Sequence, residues 1–249
     1  MVSVMAHRGA SSLAPENSFP AFKKAIEHNA DYIEVDVRRC ASGELVVMHD
    51  SRIDRTTNGK GLVAKMTLQQ IKKYHLKKMK KGMKKDIPTL EEAIELVKGK
   101  CKLNIEIKSK KNDFEYVEIL SDLLKKHDFE KQVIVSSYRH KMLKKLVEIN
   151  PKIETAALFI EKKSPSLILR RLYYIGSYIR KTKHIKASAM NLPYQFITKR
   201  LMKSAIKHGL KVNAWTVNNN KSIERMKLIG VDGIITNYPQ KFDKLALKK

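Results

Sequence analysis

The feature that most narrows the fold of this chain is an alternation repeated along its whole length. Short runs rich in valine and isoleucine occur at "VSVMAH" (2–7), "YIEVDV" (32–37), "KLNIEIK" (102–108) and "VIVSS" (133–137). Further short runs, not all as rich in these two residues, follow at "ETAALF" (154–159), "HIKASAMN" (184–191), "KVNAWTV" (211–217) and "VDGIITN" (231–237). Runs this short and this apolar suit strands buried on both faces of a parallel sheet. Amphipathic stretches of helical spacing separate them. "SFPAFKKAIEHN" opens at the capping residue Ser18 and sets Phe19, Phe22 and Ile26 on one face. "TLEEAIELVKG" carries Thr89 and, three residues on, Glu92, a capping box. His208-Gly209 and Gly230 read as helix ends. Strands and helices alternating in this way predict an α/β fold, a TIM (β/α)8 barrel, with an open doubly wound sheet as the other arrangement.

Residues 51–88 do not fit one strand-to-helix connection. They are expected as a small insertion after the second barrel strand, led into by an extra strand in "GELVVMHD", within a single domain covering 1–249. No hydrophobic core separate from that of the barrel is expected. The basic and aromatic stretch "SLILRRLYYIGSYIRKT" (166–182) is expected to pack on the barrel. A membrane surface or a lipid-like substrate is the other contact it would suit.

Composition narrows the function classes. The 51 Lys and Arg against 25 Asp and Glu give a net charge of +26, which attracts polyanions. No zinc finger, recognition helix or aromatic RNA-binding motif accompanies that charge, so it reads as a lysine-rich solvated surface and no specific nucleic-acid partner is expected. Cys40 and Cys101 lack paired spacing, which argues against a disulfide scaffold or a thiolate zinc site. No apolar run reaches the length of a transmembrane helix, and only Met1 to Ala6 precede the His7-Arg8 pair, too few for the apolar part of a signal peptide. A soluble, cytoplasmic protein is therefore expected, with peripheral membrane contact as its nearest approach to a bilayer. Nothing in the pattern specifies an oligomeric state.

The chemistry concentrates on the second and third barrel strands. Glu34 and Asp36 are two apart, as are Glu106 and Lys108, so each pair shares one face of its strand. These strands are neighbours in a barrel, and Glu34, Asp36 and Glu106 can converge near the carboxyl ends, where active sites form. Three carboxylates at close quarters repel unless protons or a cation intervene, and a hard divalent ion such as Mg2+ or Ca2+ suits them. The plainer reading has the acids facing solvent and pairing with lysines. His7 ends the first strand and His49 follows the second, where each can take or give the proton that a metal-assisted phosphoryl transfer needs, although either taken alone reads as structural. Arg8 can clamp a phosphate through its forked donors, and Lys108 can neutralise a phosphate oxygen.

"HRGASSLAPENSFPAFKKAIEHNADYIEVDV" followed by "GELVVMHDSRIDRTTNGKG", with "IPTLEEAI", "LNIEIK", "NAWTV" and "GVDGIITNYP" in order, closely resembles the glycerophosphodiester phosphodiesterase family. The resemblance spans essentially the whole chain and is weakest between about 160 and 195. It implies a TIM barrel with an insertion after the second strand. It also implies cleavage of glycerophosphodiesters, such as glycerophosphocholine or glycerophosphoethanolamine, to glycerol 3-phosphate and an alcohol, within glycerol and lipid metabolism. By the same resemblance His7 and His49 form the acid–base pair, and Glu34, Asp36 and Glu106 are the metal carboxylates. Arg8 and Lys108 match phosphate-contacting positions, and Trp215 matches an aromatic close to the substrate. Glu16 and Asn17 are expected to order the loop beneath His7, with Asn17 able to cap the next helix. Arg55, Thr56 and Thr57 are expected to tie down the insertion. The chain departs from the family at Asn29, where glycine is usual, and at "CASG" (40–43), which replaces a Thr-x-Asp-Gly turn. Neither departure removes a proposed ligand or proton carrier. Two other readings stand beside this one: a lysophospholipase D-like enzyme of the same superfamily, and a non-enzymatic polyanion-binding protein.

Overall fold

The structure, a computed structural model, describes residues 2–160 and 168–246. Its strands are β1 (Ser3–His7), β2 (Tyr32–Arg39), β3 (Leu45–Val47), β4 (Lys102–Ile107), β5 (Val133–Ser137), β6 (Glu154–Leu158), β7 (Ala189–Pro193), β8 (Lys211–Trp215) and β9 (Gly233–Thr236). Its α-helices are α1 (Phe19–Glu27), α2 (Leu68–Ile71), α3 (Leu90–Val97), α4 (Phe114–Lys126), α5 (His140–Ile149), α6 (Ile168–His184), α7 (Lys199–Lys207), α8 (Asn220–Ile229) and α9 (Gln240–Ala246). Every strand but β3 runs parallel to its neighbours, and β1 pairs with both β2 and β9, which closes the sheet into an eight-stranded barrel. The fold is thus the TIM barrel expected from the alternation.

The caps act as the sequence suggests. Ser18 accepts from Ala21 N at the start of α1, and Thr89 with Glu92 closes a reciprocal capping box on α3. Each such cap stabilises its helix by about 1 kcal/mol. Gly230 ends α8 at φ +83, and Gly209 follows α7 at φ +67. Asn29, standing where glycine is usual, adopts φ +50, a conformation asparagine tolerates.

One strand lies elsewhere than expected. The run 184–191 begins inside α6, and β7 starts only at Ala189. Ile185 is a buried apolar residue that closes the helix, and Lys186 turns the chain at φ +55 before the strand begins. The basic and aromatic segment is mostly helix α6. Of its described side chains, Tyr178 packs 4.5 Å from the Phe159 ring and Thr182 is buried, as packing on the barrel requires. Ser166 and Leu167 lie outside the described residues. Among the described residues no helix is long and apolar enough to cross a membrane. Cys40 and Cys101 are free thiols.

The core sits between barrel and helices. Ile33, Val35 and Val37 of β2 and Leu103, Ile105 and Ile107 of β4 join Phe22, Leu90 and Ile94 from the helices. Each such side chain contributes about 1.5–3 kcal/mol on burial. The alternate residues turn inward. At the amino end of the barrel they form an apolar floor of Met5, Ile134, Ala156, Ala189 and Ile235. At the carboxyl end most of them are polar, with Leu158 and Trp215 the apolar members on the far wall.

Residues between β3 and α3 have an apolar cluster of their own, contrary to the expectation of one core. Val46, Met48, Ile53, Val63, Ile71, Leu76 and Ile87 pack together with Cys40. The cause is β3, which runs antiparallel on β2 with Val47 opposite Val37 and so gives Val46 a face away from the helices. Thr57, donating to the Ile53 carbonyl and accepting from Gly59 N, ties this cluster's loop, as expected for the RTT segment.

Candidate active site

The turn after β1 sets the site. Arg8 adopts φ +57 and Gly9 φ +81, and a Cβ on Gly9 would lie 2.7 Å from both the carbonyl carbon and the Cβ of Ala21. Only glycine lets α1 approach this closely. A left-handed arginine costs about 1–2 kcal/mol. It is offset by three contacts: the Arg8 backbone N–H donates to Glu34 Oε2 at 2.8 Å, Nε pairs with Asp36 Oδ2 at 3.0 Å, and Nη1 donates to Glu16 Oε1 at 3.0 Å.

Strand register brings the acids together. His7 lies beside Glu34 in the β1–β2 pairing, and Asp36 beside Glu106 in the β2–β4 pairing. Glu34, Asp36 and Glu106 are all buried and offer oxygens that lie within 4.8 Å of one another. Burial, with the Asp36 charge adding, pushes Glu34 up to about 8. Burial pushes Glu106 to about 7 against the pull of Lys108. Burial acts on Asp36 as well, but Lys108 and Arg8 outweigh it and hold this carboxyl below its usual range.

These groups fit a divalent cation. Asp36 Oδ1 and Glu106 Oε1 are buried, and among the described residues both depend on the one Lys108 ammonium, at 3.1 and 2.6 Å. Buried carboxylate oxygens left in this state are costly, and hard oxygen donors are what Mg2+ and Ca2+ take. A second grouping, Glu91, Glu95 and His127, lies on the outer helices, where Glu91 is already paired with Lys126 and His127.

Both imidazoles are held through Nδ1. His7 Nδ1 meets Asn237 Oδ1 at 2.7 Å, an acceptor, so Nδ1 carries the proton and Nε2 faces Glu34 Oε2 at 3.9 Å. His49 Nδ1 meets Asp50 Oδ1 at 2.7 Å, and Arg55 Nε donates to the other Asp50 oxygen at 2.6 Å. Burial lowers the His7 pKa, with Arg8 adding to the effect. Burial also lowers that of His49, against the opposing charge of Asp36. Arg38 donates to the His49 carbonyl from Nε at 3.0 Å and Nη2 at 2.6 Å, and to the Lys108 carbonyl from Nη1 at 3.3 Å.

A cavity of about 140 Å³ opens over these groups. Of the site residues expected from sequence, His7, Arg8, Glu34, His49, Glu106, Lys108 and Trp215 line it, while Asp36 lies fully buried behind them. Trp215 stands on the far wall, edge-on to Tyr138 with ring centroids 6.5 Å apart, and its buried Nε1 has no hydrogen-bond partner among the described residues.

Four residues do more than their sequence reading says. Asn17 does not cap α1, since Ser18 does; its Nδ2 donates to Asp36 Oδ2 at 2.9 Å. Glu16 joins Arg8 to Arg55, accepting from Arg55 Nη2 at 2.7 Å. Asn237 and Asp50, which orient the two imidazoles, stand inside the matched motifs "IITNYP" and "MHD" without a role read from sequence. Closure of a barrel puts its last strand beside its first, and that geometry is the clue that would have found Asn237.

Carboxylates, imidazoles and forked cations gathered at the carboxyl mouth of a closed (β/α)8 barrel define a barrel enzyme that works on an anionic ester. Residues 7–241 match the glycerophosphoryl diester phosphodiesterase family, and the chain belongs to it: it is a glycerophosphodiester phosphodiesterase, hydrolysing glycerophosphodiesters. A glycerophosphodiester phosphodiesterase of Caldanaerobacter subterraneus subsp. tengcongensis is 39% identical over 251 residues, covering 98% of each chain. One from Bacillus subtilis is 32% identical, covering 98% of this chain and 86% of the relative. An Oleispira antarctica phosphodiesterase, solved in complex with its product sn-glycerol-3-phosphate, superposes with a TM-score of 0.83 at 27% identity, covering 99% of this chain and 97% of the other.

Proposed function

We propose that Glu34, Asp36 and Glu106 hold one divalent cation, Mg2+ or Ca2+, and that His7 and His49 are the acid–base pair. The substrate is a small glycerophosphodiester such as glycerophosphocholine or glycerophosphoethanolamine, cleaved to glycerol 3-phosphate and the alcohol. The observation that carries this reading is the cluster of three buried carboxylates with oxygens within 4.8 Å of one another, two of them sharing the one Lys108 ammonium, set in one cavity with both histidines. The product held by the Oleispira enzyme supports the choice of product.

The cation, when bound, supplies Lewis-acid polarisation of the phosphate. Arg8 and Lys108 offset the negative charge that shifts onto the phosphate oxygens as the P–O bond breaks. His7, protonated on Nδ1 by its bond to Asn237, presents Nε2 to the cavity, and His49 does the same from Asp50. One imidazole takes the proton of the attacking hydroxyl at its free Nε2. The other enters as the imidazolium, with Nε2 protonated as well, and gives that proton to the departing alcohol, so that one proton is taken up and one released in the step. The attacking group is water or a glycerol hydroxyl of the substrate itself, and a trapped cyclic phosphate distinguishes the second route. Trp215 closes the far side against the glycerol. The barrel and its 51–88 insertion act as one domain in this reading.

The test is product analysis with glycerophosphocholine, glycerophosphoethanolamine and lysophosphatidylcholine in detergent. Glycerol 3-phosphate from the diesters is expected. Faster cleavage of the lysolipid would move the reading to a lysophospholipase D, and turnover of none would contradict it.

A further inference from the structure

We propose that a second cavity, sharing His7 and Arg8 with the catalytic one, binds a negatively charged alcohol arm. The favoured substrates are then glycerophosphodiesters whose second substituent carries a further phosphate. This rests on the reaction proposed above and names its substrate class.

The catalytic cavity, at about 140 Å³, has little room for a phosphate with both of its ester arms. Next to it lies a larger one of about 450 Å³, bounded on one side by His7 and Arg8 and on the other by the loop that carries Leu76, Lys77 and Lys78. An arm that does not fit the first cavity passes His7 and Arg8 into the second.

The charge there is one-sided. Among the described residues Glu16 is its only acidic lining residue, and both Glu16 oxygens are occupied: Oε1 accepts from Arg8 Nη1 and Arg55 Nη2, and Oε2 from Arg55 Nη1. Lys77 Nζ donates to the Asp54 carbonyl, which leaves its charge uncompensated. Lys78 has no carboxylate partner among the described residues. The segment bearing them is anchored, with Lys77 N donating to the Thr56 carbonyl at 2.8 Å and Leu76 N to the Lys85 carbonyl at 2.8 Å. Lys78 itself is held at φ +60, where glycine or asparagine would sit with less strain. Two exposed lysines lining a cavity that shares His7 and Arg8 with the phosphate site attract an anionic arm and repel a cationic one such as choline.

The test compares kcat/KM for three substrates at low and high salt. They are glycerophosphocholine, glycerophosphoglycerol, and glycerophosphoglycerol phosphorylated on its terminal hydroxyl. The phosphorylated arm is expected to be favoured over choline by about tenfold or more at low salt, and by less at high salt. In K77Q/K78Q this ratio should fall by about tenfold, whereas the charge-matched K203Q/K207Q on α7 should leave it unchanged. Equal or better use of choline by the wild type, or an unaltered ratio in K77Q/K78Q, overturns the inference while the proposed reaction stands. Turnover of none of the three overturns both. The wild-type ratio and its salt dependence need no variant, so a poorly folding K77Q/K78Q would not shield the inference.

Discussion

The two sides of the barrel mouth follow opposite electrostatic plans. Around β1, β2 and β4, buried carboxylates interlock with Arg8 and Lys108, and the Glu34 and Glu106 carboxyls resist ionisation. Across the same cavity, β5 to β8 present Ser136, Leu158, Asn191 and Trp215, all uncharged. The charged side has the means for phosphate and proton chemistry, and the neutral side has only the means to hold a polyol. Substitutions on the first side should therefore remove kcat, and those on the second should move KM.

The largest effect is expected within the charged side, and it separates two acids that look alike in sequence. Asp36→Asn and Glu34→Gln should each lower kcat by about 10³-fold or more, since each disables the proposed cation site. Their stabilities should diverge in chelator. Asp36 pairs with both Arg8 and Lys108, so its loss leaves Arg8 with Glu16 and Lys108 with Glu106 as their remaining carboxylates and costs about 1.5–3 kcal/mol in urea unfolding. Glu34 is disfavoured as an anion first by its burial and then by the Asp36 charge, so its neutralisation should leave Tm unchanged or raise it. Equal destabilisation would break the distinction.

Next come the imidazoles. His7→Asn or His49→Asn should lower kcat by about 10²–10⁴-fold with KM little changed. Asn237→Ala should cost less, about 10–100-fold in kcat, the range for partners that orient imidazoles in metal sites. It should cost nothing further in a His7→Asn background, because its effect passes through that ring. An additive loss in the double variant would show that Asn237 acts elsewhere. The smallest effect is expected on the neutral side. Trp215→Ala should raise KM by about tenfold while kcat stays within a few-fold. A collapse of kcat there would erase the contrast between the two sides.

Legibility followed the range of the contacts. Glu34 and Asp36 could be placed from period-two spacing inside one strand, and Glu106 and Lys108 from the neighbouring strand, because pleat and parallel register are local rules. The caps at Ser18 and Thr89 were equally local. The partner of His7 was not, since Asn237 is 230 residues away and meets it only when β9 closes on β1. The relay from Arg8 through Glu16 to Arg55 joins the β1 turn to the insertion, which no periodicity announces. Strand β7 slipped for a local reason: Ile185, apolar like a strand residue, ends the helix before it. The insertion's own core has no signature in the sequence pattern, because it depends on β3 running antiparallel and turning Val46 away from the barrel helices.

The most direct test is cation dependence. Chelator-stripped protein would be titrated separately with Mg2+ and Ca2+, following bound ion per chain and release of glycerol 3-phosphate together. The expected result is silence without an ion, recovery as one ion binds per chain, and weakened binding in Glu34→Gln and Glu106→Gln. Full turnover in chelator, or ion binding indifferent to both substitutions, would contradict the account.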